Sequence, residues 1–347
     1  MKTHIIGLTA AASVTVPGFA GAQSTRDYIS IVGSSTVYPF AAVVAEHFGK
    51  ATDYETPTLE STGSGGGMKL FCAGVGVQFP DITNASRRIK KSEFDTCRKN
   101  GVKDVVELKI GYDGIAIANS KKAQPMNFTL RDIFLALAKE VPDPKGTEAL
   151  VANPYKTWKE VNDKLPDWPI VAYIPGEKHG TREVFEEKVL EKGCEAAGGL
   201  ELQVAKAGGD EKAGSKACMK VRKDGAAVDI DGDYTETLAR IDANPDGIGV
   251  FGLAFYENNT DKLKVATMSS IAPSTETIAS GEYPVSRPLF FYIKKAHIGV
   301  IPGLKEYAQF FVSDEIAGPN GPLANYGLVS DPELAETQAM VADENTM

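Results

Sequence analysis

Gly33-Ser34-Ser35-Thr36-Val37-Tyr38-Pro39-Phe40 is the stretch whose reading decides the fold. It follows Tyr28-Ile29-Ser30-Ile31-Val32, an apolar run that reads as a buried strand, and precedes Ala41 to Phe48, whose composition suits a helix. The glycine permits a sharp turn, the hydroxyls can cap the new helix, and proline is tolerated in a first turn. Unpaired N–H groups at such a helix start carry the positive end of the helix dipole, so the corner can receive an anion. An ordinary Ser/Thr cap is the alternative for any one corner, but the pattern occurs twice more. Thr58 to Thr62 leads into Gly63-Ser64-Gly65-Gly66-Gly67 and a helix from Met68. Ile170 to Ile174 leads into Pro175-Gly176-Glu177-Lys178-His179-Gly180-Thr181-Arg182 and a helix from Glu183 to Leu190.

Strands alternating with helices imply an α/β body with largely parallel sheets. The 347 residues suffice for two domains or one two-lobed body. A formal net charge of -9 and the lack of a long Lys/Arg stripe argue against a nucleic-acid partner. They leave a small anion open, because local donors decide affinity in a closed cleft. Lys2, the apolar Ile5 to Phe19 and the small residues Ala20-Gly21-Ala22 read as an export leader over 1–22, with the mature chain starting at Gln23. Cys72, Cys97, Cys194 and Cys218 are an even set in a chain read as exported, which suggests disulfides. Four cysteines allow three pairings. The expected one joins near neighbours, Cys72 with Cys97 and Cys194 with Cys218, and a four-thiolate metal site is the alternative, unsupported by any C-x-x-C spacing.

Hydroxyls of Ser35, Thr36, Ser64 and Thr181 are candidate donors to one anion. Arg87, Arg88 and Arg182 offer planar forks that match phosphate or sulfate oxygens. Gly111-Tyr112-Asp113-Gly114 reads as a break between two strand segments, Val105 to Ile110 and Ile115 to Ala118. Asp113 would give such a site specificity: phosphate keeps a proton near neutral pH and can donate to a carboxylate, whereas sulfate cannot. Asp229, Asp231 and Asp233 lack the glycine position of a calcium loop and read as turn and cap residues.

Gly33-Ser-Ser-Thr-Val-Tyr-Pro, Gly63-Ser-Gly-Gly-Gly, Asp81-Ile-Thr-Asn-Ala-Ser-Arg, Tyr112-Asp-Gly, His179-Gly-Thr-Arg and Gly247-Ile-Gly-Val-Phe-Gly occur in that order over nearly the whole mature chain. Together they resemble the periplasmic phosphate-binding protein family of phosphate ABC transporters (the PstS type). The resemblance implies a bilobal α/β fold of the type II periplasmic-binding-protein kind. Lobe 1 would be 23–117 with 288–347, lobe 2 would be 118–287, and crossing hinge strands would join them. It implies inorganic phosphate held by Ser35, Thr36, the Val37 N–H, Ser64, Gly180 and Thr181, and a membrane ABC permease as partner. It implies no catalysis, no cofactor, no metal, and a monomer in the periplasm. Two positions depart from the family pattern. Arg87 stands where many members have Asp, which leaves Asp113 as the candidate acceptor, and His179 stands where Ser is common and could donate to the anion. Arg182 is a further expected clamp, and Arg88 is expected to pair with a surface carboxylate. Rival readings are another oxyanion (sulfate, phosphonate, arsenate) and a secreted phosphatase or serine hydrolase, although neither Ser35 nor Ser64 lies in G-x-S-x-G.

Overall fold

The computed structural model describes residues 26–176 and 180–347, so the expected leader over 1–22 lies outside the described residues. Eight strands carry the body: β1 (Ser30–Gly33), β2 (Thr58–Ser61), β3 (Ile82–Ala85), β4 (Val105–Ser120), β5 (Ala172–Pro175), β6 (Ala227–Ile230), β7 (Ile248–Gly252) and β8 (Ser286–Lys294). Their order across one ten-stranded sheet is β2-β1-β3-β8-β4-β7-β5-β6, with Leu263–Val265 and Leu328–Val329 also paired to β4. On one side of the antiparallel centre, β2, β1 and β3 run parallel; on the other, β7, β5 and β6 do. Each parallel trio is the sheet of one lobe, and β4 belongs to both. Its first part pairs with β8 and its last with β7.

The expected break at Gly111 to Gly114 is not a break: the 16 residues of β4 form one continuous strand. Gly111 holds φ +139°, and the partner register shifts between Leu289 and Phe290. Those glycines absorb an irregularity in the ladder without ending it.

The two largest apolar cores follow from the two trios. Helix α1 (Tyr38–Ala51) packs Val44 and Phe48 against Ile31, Leu108, Phe291 and the helix Leu304–Phe311. The latter buries Leu304, Tyr307, Ala308 and Phe311, the one-faced stripe that its spacing predicts. The second core gathers Phe128, Phe134, Trp158, Ile174, Phe185 and Val250. Disulfides join Cys72 to Cys97 and Cys194 to Cys218, each closing a local stretch of 25 and 24 residues respectively.

At the first corner the backbone packs more tightly than a side chain allows. A methyl group on Gly33 would lie 2.2 Å from the Asn84 carbonyl oxygen, and Gly33 holds φ +125°. That closeness lets Ser34 N–H donate to Asn84 O at 2.9 Å and Thr62 N–H to Gly33 O at 2.9 Å. Helix α2 (Gly63–Phe71) lies on the same spot, since a methyl on Gly67 would lie 2.5 Å from Gly33 Cα. Gly33→Ala is expected to cost roughly 2–4 kcal/mol of unfolding free energy, the combined scale of overpacking and backbone strain. Urea unfolding measures it, and a loss below about 1 kcal/mol would show that the corner relaxes freely.

Candidate functional site

The corner after β1 divides its hydroxyls between two tasks. Ser34 Oγ accepts the N–H groups of Thr36 and Val37 at 3.2 and 3.4 Å and so closes the turn into α1. Ser35 and Thr36 are thereby free to point across the seam between the lobes. There both hydroxyls donate to Glu183 Oε2, each at 2.7 Å. Glu183 belongs to the helix Gly180–Val184, which continues as a π-helix over Phe185–Glu191. Such wide turns are rare and occur frequently at functional sites.

A buried arginine sits beside these groups. Arg287, only 2% exposed, donates from Nη2 to Thr36 Oγ1 and from Nη1 to Glu187 Oε2 at 2.7 Å, with Glu183 Oε2 3.6 Å from Nη2. Its Nε has no hydrogen-bond partner among the described residues. In the β4–β8 ladder Arg287 is the register partner of Asp113. Burial pushes the Asp113 carboxyl up to about 6, and the Glu183 charge adds to the rise while the Arg287 guanidinium opposes it. Asp113 is therefore mostly ionised at neutral pH but titrates within reach of mild acid.

The opposite wall comes from the helices that follow β5 and β6. Thr181 Oγ1 and Tyr234 Oη lie 2.5 Å apart, and burial pushes the Tyr234 phenol up to about 12, so it keeps its proton as a donor. Thr36, Asp113, Thr181, Tyr234, Phe255 and Tyr326 line one cavity of about 340 Å³. Thr36, Asp113 and Thr181, named from the sequence, thus share a cavity, and Ser35 is held beside them through Glu183.

Other expected residues lie elsewhere or are engaged otherwise. Ser64 is buried and accepts the Ser86 N–H at 3.1 Å, with the two hydroxyl oxygens 3.2 Å apart. Arg87 holds Glu93 in a two-pronged pair at 2.9 and 2.8 Å, and Arg88 holds Glu107 at 2.8 and 2.6 Å. Arg182 turns away from the cavity into its own lobe, donating to Glu186 at 2.6 Å, Asp229 at 2.5 Å and Pro175 O at 2.9 Å. Asp229 is accordingly an ion-pair partner rather than a turn residue, whereas Asp233 does cap, accepting the Thr235 N–H at 2.9 Å. Gly180 begins its helix, and His179 lies outside the described residues. The sequence reading missed Arg287, Glu183, Glu187 and Tyr234. A signal for Arg287 was present: Val285, Arg287 and Leu289 alternate onto the buried face of an otherwise apolar strand, and a charge there needs a reason.

Two α/β lobes that share a strand and bring Thr36, Asp113 and Thr181 to one cavity at their seam define a two-lobed binding protein. The chain belongs to the PBP superfamily, whose domain model matches residues 20–315. It is 33% identical to Protein SphX of Synechocystis sp. over 90% of this chain and 81% of that protein. Phosphate-binding protein PstS of Staphylococcus epidermidis is 31% identical over 82% of this chain and 74% of its own length. A crystal structure described as a possible phosphate binding protein, from Planctomyces limnophilus, superposes with a TM-score of 0.67 at 26% identity, covering 92% of this chain and 99% of that one.

Because the Asp113 carboxyl is raised from 3.8 to about 6, its contribution to stability is fully present below about pH 4 and is lost as pH rises through 6. Asp113→Asn removes this dependence. Between pH 4 and pH 7 the ligand-stripped protein should lose up to roughly 3 kcal/mol relative to the Asn variant, each pKa unit being worth about 1.4 kcal/mol. Urea titrations at four pH values check this, and a stability difference that stays flat with pH would refute it.

Proposed function

We propose that this chain is an exported receptor that captures inorganic phosphate between its lobes and delivers it to a membrane ABC importer. The observation that carries the reading is the gathering of Ser35, Thr36, Thr181, Asp113 and Arg287 at one seam. Hydroxyls and a guanidinium supply donors to phosphate oxygens, and the guanidinium gives charge-assisted bonds. The Gly180 N–H adds a donor at its helix start and His179 is a further proposed donor, whereas the Val37 N–H is shared with Ser34 Oγ. Asp113, ionised at neutral pH, accepts the hydrogen bond of the phosphate proton and leaves sulfate facing an unpaired carboxylate. The relatives named phosphate-binding proteins support the same ligand class. In this reading the lobes are 23–117 with 288–347 and 118–287, cleavage before Gln23 releases a periplasmic monomer, and closure about β4 and β8 completes the donor shell.

A hydrolase is disfavoured by the histidine chemistry. His297 is held by Asp81 at 2.6 Å through Nδ1, as the histidine of a triad would be. Its Nε2, however, accepts the Gly76 N–H at 3.1 Å, so no nitrogen remains to take a proton from a serine.

Calorimetric titration of the ligand-stripped protein should give one-to-one phosphate binding at pH 7 and no sulfate binding. Arg287→Met should weaken phosphate by tenfold to about a hundredfold, the scale of a lost charge-assisted bond. Asp113→Asn should narrow the preference for phosphate over sulfate. Equal phosphate and sulfate affinities in the unaltered protein would overturn the role given to Asp113, and steady release of phosphate from an ester would return the enzyme reading.

A further inference from the structure

We propose that Glu183 sets the affinity of the site by competing with the oxyanion for its donors, as a carboxylate latch thrown from one lobe onto the other. The inference rests on the phosphate reading for its ligand but on this chain's own contacts for its mechanism. One oxygen, Glu183 Oε2, accepts the hydroxyls of Ser35 and Thr36 at 2.7 Å each and lies 3.6 Å from Arg287 Nη2. Thr36 Oγ1 in turn accepts from Arg287, so guanidinium, threonine and glutamate form a single donor chain. Two hydroxyls and a guanidinium converging on one anionic oxygen are the donors an oxyanion would use.

Valence makes the two occupants exclusive. Each hydroxyl has one proton, so Ser35 and Thr36 cannot donate to Glu183 and to a bound anion at once. Charge points the same way. Arg287 faces Asp113, Glu183 and Glu187, with Lys188 acting on it from the same helix, so the guanidinium is surrounded by more negative than positive charge. An incoming anion is accommodated when Glu183 swings out, which its partial exposure of 31% allows. The residues joined lie 147 and 148 positions apart, on the two sides of the seam. The contact therefore also ties the lobes together before ligand does.

The test uses the full mature chain, stripped of ligand, and its Glu183→Gln and Glu183→Ala variants. Phosphate affinity by calorimetry should rise at least about tenfold in both, since a charge-assisted competitor for two donors is removed. X-ray scattering of the stripped proteins should show a larger radius of gyration for Glu183→Ala than for the unaltered chain. Glu187→Gln, which removes an Arg287 partner without freeing either hydroxyl, should raise affinity less than Glu183→Gln. Unchanged or weaker phosphate binding in the Glu183 variants would overturn the latch, as would an equal gain in Glu187→Gln or an unchanged radius of gyration. Failure of every protein to bind phosphate, with the radius still increasing in Glu183→Ala, would sink the phosphate reading and leave the interlobe latch standing.

Discussion

The architecture of the seam depends on the placement of one buried cation. A guanidinium removed from water is costly unless its N–H groups find acceptors, and removing a partner from such a group is strongly destabilising. Arg287 sits at the start of β8, in register with Asp113 on β4, so its charge is fixed by the ladder rather than by a flexible loop. Its acceptors come from both lobes: Thr36 from the first corner, Glu187 from the helix after the third. The demand of one side chain thus draws the two lobes' polar edges to the same point.

The corners owe their sharpness to backbone proximity. β1, β2 and β3 run parallel, so their C-terminal ends open on one edge, the place where open α/β sheets gather ligands. Glycines at 33 and 67 let that edge close up until backbone touches backbone. Ser34 then satisfies the turn from within, and its two neighbours are released to face the other lobe. Thus a run of three hydroxyl residues provides both a structural cap and two outward donors.

Much of this was legible in the sequence because it is local. Gly/Ser corners, the buried stripe of Leu304 to Phe311 and the two near-neighbour cysteine pairs are written in spacing and composition. What escaped depends on contacts between residues far apart. Glu183 and Glu187, four apart on a helix, look like a solvated face, and only the approach of Ser35, Thr36 and Arg287 from elsewhere gives them another role. Arg182 misled for the reverse reason. Its position in the His-Gly-Thr-Arg motif suggested a ligand, but Asp229, 47 residues away, draws it into the lobe interior. The glycines around Asp113 suggested an interruption, yet a strand flanked by partners along its whole length has more to gain from a bulge than from a break.

The shared strand has a bearing on how such a protein can be taken apart. β4 contributes hydrogen bonds to β8 in one lobe and to β7 and Leu263–Val265 in the other. Cutting the chain near the seam would leave either fragment with half of that strand as an unpaired edge, which invites association with other chains. The lobes are accordingly not modules that recombination could exchange one at a time. Whatever new ligand this scaffold is asked to hold, its two halves must be redesigned together.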